Sequence, residues 1–468
     1  MISTSLTECL DPKYLPEQPL YGNAEDIGWQ LSPTPFVLTQ AQLSDIQTLG
    51  PILQQFLSAS DLLYRQSLKG QQPEWIASVL NQGKPENLLT YGQMKRFKSH
   101  LPTVIRPDLL MTADGFKITE IDSVPGGIGF TSALNYAYRE SGCSVVQADA
   151  TMPTAFLEML KVQVADKESP VVALVVSDEA EDYRQEMTWL VNHLQQTYPN
   201  IYCIHPKQLA LVRDKLVFQS VSGDEVPIDL IYRFFELFDL PNIPNIDLIQ
   251  YAIKKGLVQC TPPFKPHLEE KLLLALLHHP LLATFWQQHL GKEEYVWLKD
   301  RVPPTWIVDP TVLPPQAVIH GLAFDGTLVQ DFRTLSTLSQ KQRQLVLKPS
   351  GFSPLAWGSR GVTVGHDVSG EEWGQSVDNA LNSYEQSPYI LQTYEKPSIV
   401  EIEQLDPMSG EVTPFEARAR FCPYFFIKPG DGDKLDIELS GILATSCPAD
   451  KKVIHGMRDA VMAPVMAE

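Results

Sequence analysis

The sequence lacks the patterns that mark several large classes of protein. No apolar run approaches the length of a membrane span, and no signal peptide opens the chain. Lys and Arg total 37 against 56 Asp and Glu, which gives a formal charge of −19. A general nucleic-acid binder needs clustered Lys and Arg to neutralise phosphate. We therefore expect neither a membrane nor a nucleic acid as partner.

Two further absences concern cysteine pairs and nucleotide motifs. The sequence has no C-x-x-C, no G-x-G-x-x-G of a dinucleotide domain and no G-x-x-x-x-G-K-[ST] of a Walker A loop. Isolated cysteines are typical of reduced thiols, so we expect a soluble, cytoplasmic protein. The cysteines are Cys9, Cys143, Cys203, Cys260, Cys422 and Cys447.

The remaining composition is that of an ordinary globular protein large enough for two or three cores, with 44% hydrophobic and 20% charged residues. Apolar residues recur at helical spacing over 41–68, with a break expected near Gly50-Pro51, so residues 1–100 are predicted to be mostly helical. Short apolar strands then alternate with helices over 153–262. This alternation predicts a small parallel α/β unit and an α/β fold class.

Residues 104–132 combine a predicted β-hairpin with unusually placed charges. Arg106 and Asp108 share one face of the first strand, and Glu120 and Asp122 share one face of the second. If the strands pair, these charges meet at the open end of the hairpin, where Mg²⁺ carrying phosphates would satisfy the carboxylates. The alternative is an exposed hairpin with solvated charges. The glycines of segment 125–129 follow directly and permit close approach of a ligand.

The last third of the chain holds a second group of candidate residues. Segment 344–349 is a predicted strand ending in Lys348-Pro349, and the glycine- and serine-bearing loop 350–361 follows it. A lysine beside such a loop suits polyphosphate, although a surface hairpin would look similar. Segment 388–397 is predicted to run from a strand into a hinge whose backbone could meet an adenine edge. Arg418 and Arg420 alternate on one strand face, where both are available for phosphate.

Two other charged residues have competing interpretations. Lys271 opens a strongly apolar helix within 267–290, and such lysines usually extend their ammonium group out of a core into solvent. Glu236 follows a predicted strand of the parallel unit. It is either a substrate-facing carboxylate or an ordinary surface residue.

The order of these segments resembles the ATP-grasp ligases, specifically the circularly rearranged branch that includes glutathionylspermidine synthetase. That branch has R-x-D followed, after a hairpin turn, by E-x-N, where this chain has Arg106-Pro107-Asp108 and Glu120-Ile121-Asp122. Asp122 departs from the branch, because it keeps an oxygen ligand but adds a charge. A helix motif similar to N-K-A-x-L-x-L-L, a V-K-P loop and a hinge match at segments 270–277, 347–349 and 390–394. The resemblance spans roughly residues 100–430, and we expect no amidase domain before it.

The resemblance implies a fold, a reaction and a set of roles. The fold would comprise a helical region (1–100), a metal-binding hairpin and helix (101–152), a small parallel α/β unit (153–262) and ATP-grasp lobes (263–468). ATP and Mg²⁺ would drive amide-bond formation between a small carboxylate and an amine through an acyl phosphate, with Arg106 stabilising the transferred phosphoryl group. The implied metal ligands are Asp108, Glu120 and Asp122. The implied nucleotide-binding residues are Lys271, Lys348, Ser350, Gly351, Gly361, Gln392 and Tyr394.

Several points stay open at the level of sequence. A small-molecule kinase on the same fold and a nucleotide-binding protein without catalysis are alternatives to the ligase, and the acid, the amine and the oligomeric state cannot be read from the residues. Segment 439–459 matches nothing in the branch. Lys451, Lys452 or Arg458 within it could complete the phosphate site.

Overall fold

A computed structural model describes most of the chain. The described residues are 10–11, 14–16, 28–146, 150–220, 222–356, 360–405, 411–430, 434–451, 454 and 458–468. The helices are α1 Gln40–Ser67, α2 Glu74–Asn81, α3 Glu86–Gly92, α4 Ile128–Glu140, α5 Met152–Lys161, α6 Arg184–Gln195, α7 Ile246–Lys255, α8 Leu272–His278, α9 Ala283–Leu290, α10 Lys292–Arg301 and α11 Gly370–Asn382. No helix in the described ranges combines the length and apolar character that crossing a membrane requires.

The strands follow the same chain order. They are β1 Gly28–Leu31, β2 Phe36–Leu38, β3 Val104–Thr112, β4 Gly115–Asp122, β5 Val172–Val176, β6 Ile201–Ile204, β7 Leu209–Val212, β8 Lys215–Gln219, β9 Glu225–Pro227, β10 Leu230–Phe234, β11 Gln259–Thr261, β12 Thr305–Ile307, β13 Ala323–Phe324, β14 Thr327–Leu328, β15 Leu345–Pro349, β16 Thr363–Val364, β17 Tyr389–Thr393, β18 Ile399–Leu405, β19 Val412–Pro429, β20 Leu435–Pro448 and β21 Arg458–Ala467.

The long helix α1 begins at a capping box, in which Thr39 Oγ1 accepts from Gln42 N and the Gln42 side chain accepts from Thr39 N. The predicted break near Gly50-Pro51 is wrong, because α1 continues through Pro51. An internal proline costs about 3 kcal/mol. Packing offsets that cost: a Cβ on Gly50 would lie 2.6 Å from the Phe425 ring, so only glycine allows this close approach to the sheet.

The main sheet assembles strands from distant parts of the chain. Its order is β18-β1-β21-β20-β19-β3-β4, and β2 also pairs with β21. Segment 439–459, which matches no motif, lies partly within β20 at the centre of this sheet. Along β19 the side chains alternate between two cores: Phe421 and Phe425 pack with α1 and α8, whereas Tyr424 and Phe426 pack with α4 and α5. Helices therefore cover both faces of the sheet.

Two smaller sheets complete the frame of the site. Strands β11, β10, β5 and β6 form a four-stranded sheet in which every pairing is parallel, which confirms the predicted parallel unit. Strands β12, β17, β15 and β16 form an antiparallel sheet that carries Lys348 on β15.

The cysteines differ in one respect from the prediction of reduced thiols. Cys203, Cys260, Cys422 and Cys447 are in no disulfide, but Cys143 is disulfide-bonded. The prediction is therefore wrong for Cys143, because spacing along a sequence does not report distance in the fold. The inference of a cytoplasmic location loses that support and stays a prediction.

Candidate active site

The β3–β4 hairpin brings its charged residues together as the sequence pattern predicts. Arg106 pairs with Asp122 and Asp108 with Glu120 across the two strands, and a register shift follows between Asp108 and Leu109. Because paired residues on one face lie close together, the charges meet at the open end of the hairpin. They line one cavity with Lys271, with residues of the main sheet and with Glu236, which follows β10 of the parallel sheet. We call this cavity the charged cleft.

Each carboxylate at the hairpin has a cation beside it. Arg106 lies 2.7 Å from Asp122 and 3.2 Å from Asp108, measured between nitrogen and oxygen. Arg420 lies 2.9 Å from the other oxygen of Asp108. Burial alone would raise the pKa of Asp108, but Arg106 and Arg420 outweigh it and lower that pKa to about 2. Asp108 is therefore ionised at neutral pH.

Lys271 does not extend into solvent. It is 9% exposed, and its Nζ lies 2.7 Å from the Glu120 carboxylate. Burial would lower the pKa of Lys271, but Glu120 more than offsets it, and the pKa is raised. The lysine precedes α8, whose leucines anchor it in the core shared with α1.

Lys348 reaches the hairpin from the antiparallel sheet. Its Nζ donates to Thr119 O at 2.9 Å and to Gln392 Oε1 at 2.8 Å. Burial lowers the pKa of Lys348 to about 8, and Lys271 adds to this, while the Glu120 and Asp108 carboxylates oppose it. Gln392 in turn donates to Thr305 Oγ1 at 3.0 Å, so its side chain holds the lysine in place.

The other implied nucleotide-binding residues lie around the antiparallel sheet. Gln392 pairs in register with Val346 and Thr305 on both sides of β17, which commits its backbone to the sheet. Tyr394 receives a hydrogen bond from Arg418 at 3.4 Å. Gly361 N donates to Leu355 O at 3.0 Å, while residues 357–359 of the predicted phosphate loop lie outside the described residues. The lining of the charged cleft includes Gly351; among the described residues it does not include Lys348, Ser350, Gly361, Gln392 or Tyr394.

Glu236 and Glu269 line the cleft on the side of the parallel sheet, and we call this pair the acidic wall. Glu269 pairs with Arg233, a fully buried residue of β10. Burial raises the pKa of Glu269 to about 7 despite Arg233, and burial together with Glu269 and Asp122 raises the pKa of Glu236 well above its usual range. Sequence inspection missed Arg233 and Glu269. The available signal was Arg233, a charged residue inside the otherwise apolar strand β10.

The glycine segment 125–129 lines the charged cleft at Gly126 and Gly127 and also packs against α6. Gly127 has a φ of 90°, and Glu186 of α6 accepts from Gly127 N and Phe130 N at 2.7 Å each. A Cβ on Gly129 would lie 2.1 Å from Glu186 O. The glycines therefore allow α6 to cap the start of α4, and Glu186 is a second residue that sequence inspection missed.

The unmatched segment 439–459 contributes to the cleft. Leu443 and Thr445 of β20 line it. Three buried donors of the lining, Ser123 Oγ, Thr445 Oγ1 and Arg106 Nε, have no hydrogen-bond partner among the described residues. Lys451 bonds Asp459 at 2.5 Å, while Lys452 and the Arg458 side chain lie outside the described residues.

The described residues contain no group of three or more His, Cys, Asp or Glu side chains already arranged around a metal position. Asp108, Glu120 and Asp122 share the cleft, but each faces a cation. The donor set still suits a hard cation together with phosphate, because carboxylate oxygens and unpartnered donors are both present.

Comparisons with known proteins were made with the sequence and with the structure. No family model matches the sequence, and no curated protein matches it. Among solved structures, the chain is similar to a glutathione synthetase-like effector from Globodera pallida, with a TM-score of 0.55 and 11% identity over 94% of this chain and 90% of that one. At such identity the likeness shows the fold alone.

Two further similarities to solved structures are weaker. One is to a putative gamma-glutamylcysteine synthetase from Methylobacillus flagellatus, with 10% identity, coverage of 86% and 84%, and a TM-score of 0.39. The other is to D-alanyl-alanine synthetase A from Vibrio cholerae, with 10% identity, coverage of 63% and 89%, and a TM-score of 0.25. Only the similarity to the Globodera pallida protein has a TM-score above 0.5 among these three. It shows that this chain has the mixed α/β, glutathione synthetase-like ATP-grasp fold that the sequence predicts.

Proposed function

We propose that the protein is an ATP-dependent ligase that joins a small carboxylate to an amine through an acyl phosphate, releasing ADP and phosphate. The observation that carries this proposal is the set of paired opposite charges in the charged cleft. The order of the hairpin, lysine and loop motifs supports membership of the branch that includes glutathionylspermidine synthetase, with Asp122 as the departure.

The paired charges suit a ligand that is itself a cation bound to a polyanion. Asp108, Glu120 and Asp122 would hold Mg²⁺, whose chemistry here is to neutralise and orient the phosphates. The cations released from these carboxylates would then contact phosphate oxygens. When Mg²⁺ and phosphate bind, each carboxylate and each cation of the cleft thus exchanges its partner, and no buried charge is left without a counter-charge.

The protein's own cations then divide the work by position. Arg106 has an unpartnered Nε in the cleft and a planar guanidinium suited to a transferring phosphoryl group. Lys271, next to Glu120, and Lys348, which donates to Thr119 O of the hairpin, would hold the other phosphates. Phosphoryl transfer needs such positioning and charge stabilisation more than a nucleophilic side chain.

The acidic wall suits the amine substrate. An amine attacks only after it loses its ammonium proton. The pKa of Glu269 is raised to about 7, so part of this carboxyl group is ionised at neutral pH and can accept that proton. A hydroxyl substrate, as in a small-molecule kinase, brings no ammonium proton for Glu269 to accept.

The first experiment is a thermal-shift titration with Mg·ATP. Binding at one hundred times Kd stabilises the folded state by about 2.7 kcal/mol, so the melting temperature should rise, and EDTA should abolish the rise. The Lys348→Ala variant should lose this rise in melting temperature. The Lys341→Ala variant, changed at an exposed position shortly before β15, should keep it. A melting temperature that Mg·ATP leaves unchanged at millimolar concentration would contradict the nucleotide site.

The second experiment identifies the reaction. ATP consumption is measured against pooled acids and amines, with products identified by mass. An amide together with ADP supports the ligase, a phosphate ester indicates a kinase, and binding without turnover in any pool indicates a nucleotide-binding protein.

A further inference from the structure

We call loop 350–361 the phosphate loop. Glu270 is a buried carboxylate at the base of this loop, and the proposed reaction does not use its contacts. Ser350 Oγ donates to Glu270 Oε1 at 2.6 Å, and Gly351 N donates to Glu270 Oε2 at 3.2 Å. Both oxygens of Glu270 are thereby bonded to the first two residues of the loop. Ser350 is 1% exposed, so its hydroxyl faces Glu270 inside the protein.

The partner that neutralises Glu270 comes from the helical region at the start of the chain. Lys84, between α2 and α3, forms an ion pair with Glu270 Oε1, and the side chains of both residues are 0% exposed. The Lys84 Nζ also lies 5.3 Å from the centroid of the Phe352 ring, which extends the contact into the loop. Fully burying two charges carries a desolvation penalty of several kcal/mol per ion, so such a pair is poor evidence of stability for its own sake.

The position of Glu270 in the chain gives it a role between two parts of the charged cleft. It lies between Glu269 of the acidic wall and Lys271, the partner of Glu120. Gly351 sits directly against this segment, because a Cβ on Gly351 would lie 1.8 Å from Glu269 O. The loop base is therefore in direct contact with the segment 269–271.

We propose that Glu270 is a positioning residue, which fixes the base of the phosphate loop to the segment bearing Glu269 and Lys271, with Lys84 as its required counter-charge. Ser350 and Gly351 are then anchors of the loop, since the Ser350 hydroxyl and the Gly351 N–H both donate to Glu270. The helical region at the start of the chain becomes part of the site through Lys84. The link to nucleotide rests on the proposed function, whereas the anchoring itself does not.

The test uses trypsin cleavage after Arg360, an exposed loop residue, in the full-length protein without nucleotide. Ser350→Ala removes one anchor bond, and cleavage after Arg360 should accelerate severalfold. Glu270→Gln alone leaves Lys84 buried without a counter-charge, so the charge-neutral double variant Glu270→Gln/Lys84→Met is the second probe and should accelerate cleavage as well. Ser336→Ala, whose hydroxyl donates to Arg333 O three residues away, is the matched control.

Mg·ATP affinity separates an anchor from a ligand. Ser350→Ala should weaken affinity by less than tenfold while cleavage after Arg360 accelerates. Unchanged cleavage in both Ser350→Ala and the double variant would overturn the proposal. A loss of affinity of tenfold or more with unchanged cleavage would do the same and would make Ser350 a nucleotide ligand. If the wild-type protein binds no Mg·ATP, the proposed function fails, and the cleavage measurements still decide the anchor.

Discussion

The two lysines beside the charged cleft carry different charges as the pH changes. The Glu120 carboxylate outweighs burial at Lys271 and raises its pKa, whereas burial dominates at Lys348 and lowers its pKa to about 8. Lys271 is therefore a fixed cation at physiological pH. Lys348 is only partly protonated near pH 8, and a bound phosphate would favour its protonated, cationic form.

Nucleotide binding should consequently weaken as the pH rises. If only protonated Lys348 binds phosphate, Mg·ATP affinity should fall about tenfold between pH 7 and pH 9. Isothermal titration calorimetry across that range measures the change, and Lys348→Ala should give weak binding with a flat profile. The fall cannot come from unfolding through this group: the unfolded chain holds the proton up to the ordinary pKa of 10.5, so this group's contribution to stability rises between pH 8 and 10.5.

The contact between Glu120 and Lys271 decides what removal of the Glu120 carboxylate should do to stability. Considered by sequence, removing one of three clustered carboxylates relieves repulsion and leaves stability equal or higher. In the structure, Glu120 lies 2.7 Å from Lys271, which is almost fully buried. Removing the carboxylate therefore leaves a buried ammonium without its counter-charge.

We expect Glu120→Gln to fold but to lose about 1–2 kcal/mol of unfolding free energy in EDTA, because Glu120 is about one-third exposed and water screens part of the loss. Its Mg·ATP binding should also need more Mg²⁺. Urea denaturation and a Mg²⁺ titration measure the two effects, with the exposed Glu140→Gln as control. Wild-type stability and wild-type Mg²⁺ dependence together would remove Glu120 from the site.

At the scale of elements, local patterns were predictable and long-range pairings were not. The hairpin of β3 and β4 follows from two short strands and a turn, and the parallel sheet follows from wholly apolar runs separated by helices. By contrast, β20 and β21 pair at the centre of the main sheet with β19 and β1. Nothing within segment 439–459 specifies such distant partners, so Thr445 could not be placed in the cleft.

The same limit applies to the candidate residues. The convergence of Arg106, Asp108, Glu120 and Asp122 depends on one local register, and the structure reproduces it. The partners of Glu269 and Glu270 come from elements far apart in sequence, Arg233 and Lys84. Their roles in binding and catalysis stay predictions.

The start of α4 depends on one side chain from another helix. Glu186→Ala would leave Gly127 N and Phe130 N buried without an acceptor, at a cost of about 2–4 kcal/mol in unfolding free energy. Chemical denaturation measures the cost, and the exposed Thr188→Ala in the same helix should change it little. Equal stability of the two variants would mean that Glu186 does not support α4.

At the scale of the whole molecule, the parts inferred from sequence share cores. One cluster contains Phe56 of α1, Ile105 of β3, Leu274 of α8 and Phe421 of β19, which come from three of the four predicted parts. Another cluster, around Trp373 and Val377 of α11, is confined to the region of the antiparallel sheet. The four-part division thus stays a proposal about sequence. The packing also joins the third part to the second and fourth, because a further cluster contains Ile128 of α4, Val172 of β5 and Tyr424 of β19.

This shared core predicts which elements lose stability when one core residue is substituted. Phe56 is fully buried and packs 5.2 Å from the Trp286 ring, so Phe56→Ala should cost about 3–5 kcal/mol. Hydrogen–deuterium exchange should then accelerate in α1 and equally in β3 and β19, because these elements lose the same core. Val377→Ala, in the separate cluster, should accelerate exchange in α11 and β15 and leave α1 at its wild-type rate. Faster exchange confined to α1 in Phe56→Ala would show instead that the helical region opens independently, and Lys84 could then leave Glu270 without disturbing the hairpin.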